Sequence, residues 1–291
     1  MALLDLINNC QDKLSLPRTT SIIGATDQNT RTLLACANDE GKEVSTDFEW
    51  TVLENEYTFT LTSGTANYAL PTDFDRHIPQ TQWDRNFHWE LIGPVTPQEW
   101  QFRKSGIIAS SPRRRFRIKT RVSNQFYLDP TPASSDTGLT MVLEYYSASW
   151  VQPKQWVTST AFAAGSYCSN NGIYYKTTAG GTTGATVPTH TSGSVSDGGV
   201  TWTYNTDVFD HFVADTDTTL IPQVCIELGV MWRFLMSKGM ASWQSYKAKY
   251  DEMIPRWSSK TRGARTIDMS NSVWGERFIG PWNAPDTGYG S

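Results

Sequence analysis

The chain has 291 residues, of which 38% are hydrophobic, 12% aromatic and 19% charged, a balance that excludes both general disorder and a mini-protein that needs staples. Its formal net charge of -4 excludes a uniformly basic nucleic-acid binder, so any DNA contact has to come from a local patch. Cys10, Cys36, Cys168 and Cys225 are scattered, with no C-x-x-C pair and no histidine at ligand spacing, which argues against a disulfide framework or a zinc site.

The opening "MALLDLINNCQDKLSL" has no basic segment ahead of an apolar run and does not read as a signal peptide, and no stretch approaches the roughly 18 apolar residues of a membrane span. Leu3, Ile7, Cys10 and Leu14 recur at helical spacing and predict an amphipathic helix that stops before Pro17. Asp27 is the expected N-cap of a second, antiparallel helix with Leu33, Leu34, Ala37 and Val44 on one side.

From Glu56 the period changes to two. Tyr57, Phe59 and Leu61 alternate with Thr58, Thr60 and Thr62, and "SGTANYALP" then predicts a turn and a returning strand, a hairpin. Further strands are expected over Arg114 to Val122, Gln125 to Pro130 and Leu139 to Val151, separated by Ser/Asn, Pro and Asp/Gly punctuation. Residues from about 51 to 151 should thus form an antiparallel β domain, a small barrel or sandwich. Within it, "RRRFRIKTR" read as a strand puts Arg115, Arg117, Lys119 and Arg121 on one face and Phe116, Ile118, Thr120 and Val122 on the other. Such a cationic row suits a solvated face, a contact with an acidic neighbouring subunit, or a surface facing DNA phosphates.

A Gly/Thr/Ser-rich region follows, but it is not low in complexity. "SYC" leads through "NNG" to "IYYKTT", a strand, a type I′ turn and a strand, and "DGG" precedes the alternating "VTWTY". Asp215, Thr216, Asp217, Thr218 and Thr219 match D-x-D-x-T, which in one phosphatase superfamily supplies a nucleophile and an acid/base. No series of parallel βα units surrounds the match, and the plainer expectation is that these residues cap the next helix. That helix, with Thr218 or Thr219 as cap and Pro222 in its first turn, places Val224, Leu228, Met231, Leu235, Trp243, Tyr246, Tyr250 and Trp257 at spacings of three, four and seven, as one helix or as two broken near Gly239. Beyond Ser258 periodicity ends, yet Trp274, Phe278, Trp282 and Tyr289 give the tail the anchors of a docking segment or of one that packs back on its own subunit.

"AGGTTGAT" lacks the G-K-[ST] of a phosphate-binding loop, and there is no G-x-S-x-G, H-E-x-x-H or dinucleotide fingerprint. Nothing in the sequence supports an enzyme or a cofactor. The order of features, however, is informative: a two-helix start, "TDFEWTVLENEYTFTLTSGTANYALPTDFDR", "GPVTPQEWQFRKSG", "FYLDPTPA", "LEYYSASWV", then "DTDTTLIPQVCIELGVMWRFL" and an aromatic tail. This succession resembles the head-to-tail connector (adaptor) proteins of short-tailed, podovirus-like bacteriophages, with "YALPTDFDR" (Tyr68 to Arg76) and "LIPQVCIELGVMWRFL" carrying most of the likeness. The Gly/Thr-rich tract stands outside it and is similar to a small β module of phage tail and tailspike proteins, where Tyr174, Tyr175, Trp202 and Tyr204, beside Tyr167, would either stack on glycans or form the core of a mini-sheet.

The resemblance implies an α+β chain. Residues 1–50 and 209–257 would be a helical ring-forming domain of two N-terminal helices and one long C-terminal helix, and residues 51–151 the antiparallel β domain. Residues 152–208 would be an inserted, outward-facing β module, and 258–291 an extended tail docking through Trp274, Phe278, Trp282 and Tyr289. It implies a structural virion protein of the head-tail interface, made in the host bacterial cytoplasm, with no enzymatic role and no cofactor. Its partners would be the portal protein, a tail nozzle or tail tube protein, and identical subunits in a twelvefold ring through which double-stranded DNA passes without sequence specificity. Tail fibres or spikes are further candidates. A tail-associated host-surface or glycan-binding protein is the competing reading, and a virion hydrolase with a carbohydrate-binding appendage is a third.

Overall fold

The computed structural model describes residues 1–106, 113–120 and 124–261. These divide into two compact units, residues 1–53 with 148–261, and residues 54–147. The first unit opens with α1 (Leu3–Lys13), whose Leu3, Leu6, Ile7 and Cys10 are buried, and α2 (Gln28–Asp47). Asp27 is the N-cap of α2 as expected, its carboxylate accepting the Thr30 amide at 2.9 Å.

The second unit follows the alternating stretch of sequence. Its elements are β1 (Glu54–Thr60), β2 (Asn67–Ala69), β3 (Phe74–His77), β4 (Trp83–Asp84), β5 (Trp89–Glu90), α3 (Pro97–Lys104), β6 (Arg115–Lys119), β7 (Gln125–Asp129) and β8 (Thr140–Ser147). Among the described residues the named strands pair antiparallel, one sheet running β1-β8-β4-β5 with β3 also on β8 and the other β2-β7-β6, and Ile92 adds a parallel bridge to Arg115. Met141, Leu143 and Tyr145 of the first sheet pack against Phe116, Phe126 and Leu128 of the second in one apolar core, so the unit is a small sandwich.

The expected hairpin between the Tyr57 strand and the Tyr68 strand does not form. β1 pairs with β8 and β2 with β7, because the intervening residues turn a corner from one sheet to the other. At that corner the Leu61 amide donates to Leu139 and the Leu128 amide to Ala66, while the Phe59 and Tyr68 rings meet across the core at 4.6 Å. The helix α3 is an addition to the elements expected from the sequence, although its signal is local: Thr96 caps it by accepting the Glu99 amide, and Pro97 occupies the first turn.

The first unit resumes with β9 (Val151–Gln152), β10 (Ala161–Phe162), β11 (Tyr167–Asn170), β12 (Ile173–Thr177), β13 (Gly181–Thr182), β14 (Ser194–Asp197), β15 (Val200–Asn205), β16 (Thr218–Thr219), α4 (Gln223–Ser237) and α5 (Trp243–Thr261). Strands β11-β12-β15-β14 form an antiparallel sheet over a core of Phe162, Cys168, Tyr175, Val200 and Trp202. Asn171 and Gly172, both at positive φ, join β11 to β12, which is the two-residue turn that "NNG" predicts. The Gly/Thr-rich tract is therefore folded, and its two ends meet, since the Val151 amide donates to the Phe209 carbonyl at 3.0 Å.

In place of one long C-terminal helix there are two. Gly239 at φ +69 ends α4, with the Gly239 amide bonded to Met236 and the Met240 amide to Leu235, the paired closure of a Schellman cap. α4 packs on α2 around a buried ion pair. The Arg233 Nε donates to the fully buried Glu40 at 2.8 Å and a second Arg233 nitrogen reaches Glu43. Gly229 makes room for this pair, because a Cβ there would collide with the Glu40 carboxyl carbon. No described helix is long and apolar enough to cross a membrane, and the four cysteines are free and buried.

Candidate assembly surfaces

The D-x-D-x-T carboxylates are engaged by backbone. Asp215 accepts the amides of Ile22 and Ile23 at 3.0 and 2.8 Å and the Ser21 hydroxyl at 2.7 Å. Asp217 is buried and accepts the amides of Val213 and Ala214, with burial pushing its carboxyl above the usual range despite those donors. Thr218 and Thr219 form β16 against β9, and the residue at the cap position of α4 is Pro222. These residues thus staple loops, and they do not cap the following helix as expected.

The basic strand is β6. Arg115, Arg117 and Lys119 pair across the ladder with Asp129, Tyr127 and Gln125, and so stand on the face turned away from the Phe116 core. Lys119 lies 4.2 Å over the Tyr127 ring, while Asp129 is engaged by Lys104 of α3. Arg115 and Arg117 have no ion-pair partner among the described residues. Arg121 lies outside the described residues. Beside the row, α3 buries Trp100 against Tyr127 and leaves Phe102 79% exposed.

The outer face of the other sheet carries a cleft of about 350 Å³ lined by Glu56, Gln80, Thr81, Trp83, Asp84, Arg85, His88, Val142 and Glu144. Glu56 and Glu144 are direct cross-strand partners in the β1–β8 ladder, an unfavourable placement for like charges. Arg85 answers Glu56 at 2.9 Å, whereas Glu144 has no ion-pair partner among the described residues. No sequence signal marks this cleft, because the opposition exists only in the register.

In the tract, Tyr175 and Trp202 are fully buried, Tyr175 bonding its hydroxyl to the His190 carbonyl, so neither offers a ring face for stacking. Tyr174 and Tyr204 are half-buried, and Tyr174 meets Phe209 edge to face at 4.8 Å. Tyr167 is held likewise, by Phe209 and by a hydroxyl bond to Asp207. These aromatics build the module core and its seam. Trp274, Phe278, Trp282 and Tyr289 lie outside the described residues. Among the described residues, no group of His, Cys, Asp or Glu side chains is placed to hold a metal ion.

A family model described as SU10 adaptor protein matches residues 1–167, more than half of the chain. The match takes in α1, α2 and the whole β sandwich, including "YALPTDFDR", and ends at the first residue of β11. The second stretch behind the resemblance, "LIPQVCIELGVMWRFL", lies beyond the matched residues. No curated protein matches the chain.

Proposed function

The chain belongs to the SU10 adaptor protein family of phage structural adaptors, and from that premise we propose that it is the head-to-tail adaptor of a short-tailed phage virion. In this reading, copies form a twelvefold ring that binds the portal, continues the DNA channel and offers the tail its attachment platform. The observation that carries it is the family match over residues 1–167, which spans the two N-terminal helices and the complete sandwich. The physics of the chain agrees. Two compact units with a folded accessory module suit a part that works by presenting surfaces, and the carboxylates that mimic a catalytic motif are held by loop amides.

Portal attachment is assigned to the tail, where Trp274, Phe278, Trp282 and Tyr289 supply aromatic anchors for the partner. The test uses the purified full chain mixed with portal rings and imaged by negative stain. Coaxial stacks are expected for the wild type. Trp274→Ala, Phe278→Ala and Trp282→Ala combined should abolish stacking with the thermal melt unchanged, and stacks formed at wild-type yield would overturn the tail assignment.

A further inference from the structure

The sandwich carries opposite charge on its two outer faces. Because Met141, Leu143 and Tyr145 face inward toward Phe116, Phe126 and Leu128, the alternate residues of each sheet point away from the shared core in opposite directions. One side shows the Arg115, Arg117 and Lys119 row, with Arg115 and Arg117 unpaired among the described residues. The other shows the cleft in which Glu144 stands unanswered directly opposite Glu56. Arg85 already answers Glu56, so among the described residues the unmatched charge of the cleft is Glu144, and the unmatched charges of the basic row are Arg115 and Arg117.

We propose that copies of this chain associate head to tail through the sandwich, the Arg115–Arg117–Lys119 row of one copy seating on the Glu56–Glu144 cleft of the next. The proposal rests on the adaptor reading and names the contact that would close its ring. A contact between two different faces of one subunit is heterologous, and such contacts propagate into rings when the rotation between copies closes. A cation brought between Glu56 and Glu144 relieves the like-charge opposition of the ladder, which gives the contact its register. An apolar anchor is also on the basic side: Phe102 is 79% exposed on α3, and the cleft of about 350 Å³, lined in part by Trp83 and Val142, is large enough to receive a phenyl ring.

The test measures assembly of the full-length chain by analytical ultracentrifugation at low and physiological salt, with thermal melts to verify folding. Arg117→Glu and Glu144→Arg should each raise the half-assembly concentration by at least roughly tenfold, because like charges then meet in the contact. Mixing the two variants should restore assembly. At one junction the reversed row of the first variant then meets the reversed cleft of the second, and at the next junction a native row meets a native cleft. The double variant in one chain should do the same. Singles that assemble like the wild type, or a mixture no better than either single, would overturn the proposal. If Arg117→Glu assembles normally but loses retention of double-stranded DNA, the row faces DNA and the proposal also fails. Wild-type rings that stack on portal while the variants are unaffected would sink only this contact; a wild type that stays monomeric and ignores portal would sink the adaptor reading with it.

Discussion

Glu40 shows what a single residue can do to the pH behaviour of this fold. It is fully buried on α2, and burial pushes its carboxyl above the usual range even though Arg233 and the Tyr250 hydroxyl pull it down. A carboxyl raised in the folded state contributes stability that is full below its unfolded pKa of about 4.3 and is lost as pH rises through the raised value. Glu40→Gln cannot ionise, so its unfolding midpoint in urea should decline less than that of the wild type as pH rises from about 4. Parallel profiles would show that Glu40 does not titrate in that window. The sequence marks none of this, since a glutamate on a polar-looking helix is ordinarily solvated. It takes Gly229 of α4, closing to where a Cβ would strike the carboxyl carbon, to bury it. By contrast, the Asp27 cap is legible because the cap and its Thr30 amide are three residues apart.

Among the elements, the same distinction separates local from long-range signals. The Asn171–Gly172 turn is readable because its geometry is decided by the two residues in it. The pairing of β1 is not, because alternation says that a strand has a buried face but not which strand lies beside it. The turn after Leu61 looks like a hairpin loop, and only the Leu139 and Ala66 carbonyls show that it passes between sheets. The end of α4 lies between these cases: Gly239 is visible as a possible break, and its φ of +69 makes it the actual one. Gly239→Ala should cost about 1–2 kcal/mol in chemical denaturation, the penalty of a Cβ in the left-handed region. A loss below about 0.3 kcal/mol would mean that the α4–α5 corner relaxes to another backbone path at little cost.

For the whole molecule, the module between β9 and Phe209 leaves and re-enters the chain at one point, the Val151 amide bonded to the Phe209 carbonyl. Replacing residues 154–206 by a short Gly/Ser linker should therefore leave the helical part folded, with Phe209→Ser included because Tyr167 and Tyr174 would no longer cover that ring. Circular dichroism and sedimentation of the excised chain check this, and loss of cooperative melting would show that the module is part of the core it springs from. The sequence by itself determined the Asp27 start of α2, the Asn171–Gly172 turn, the mixed α+β character and the resemblance to phage adaptors, since each rests on spacings within a few residues or on the order of segments. Only the tertiary structure decided that β1 lies on β8, that Tyr175 and Trp202 face inward, that Asp215 and Asp217 hold loops, and that Glu56 and Glu144 stand opposed. Those outcomes depend on which distant segments share a core, and a pattern that repeats every two or four residues carries no record of its partner.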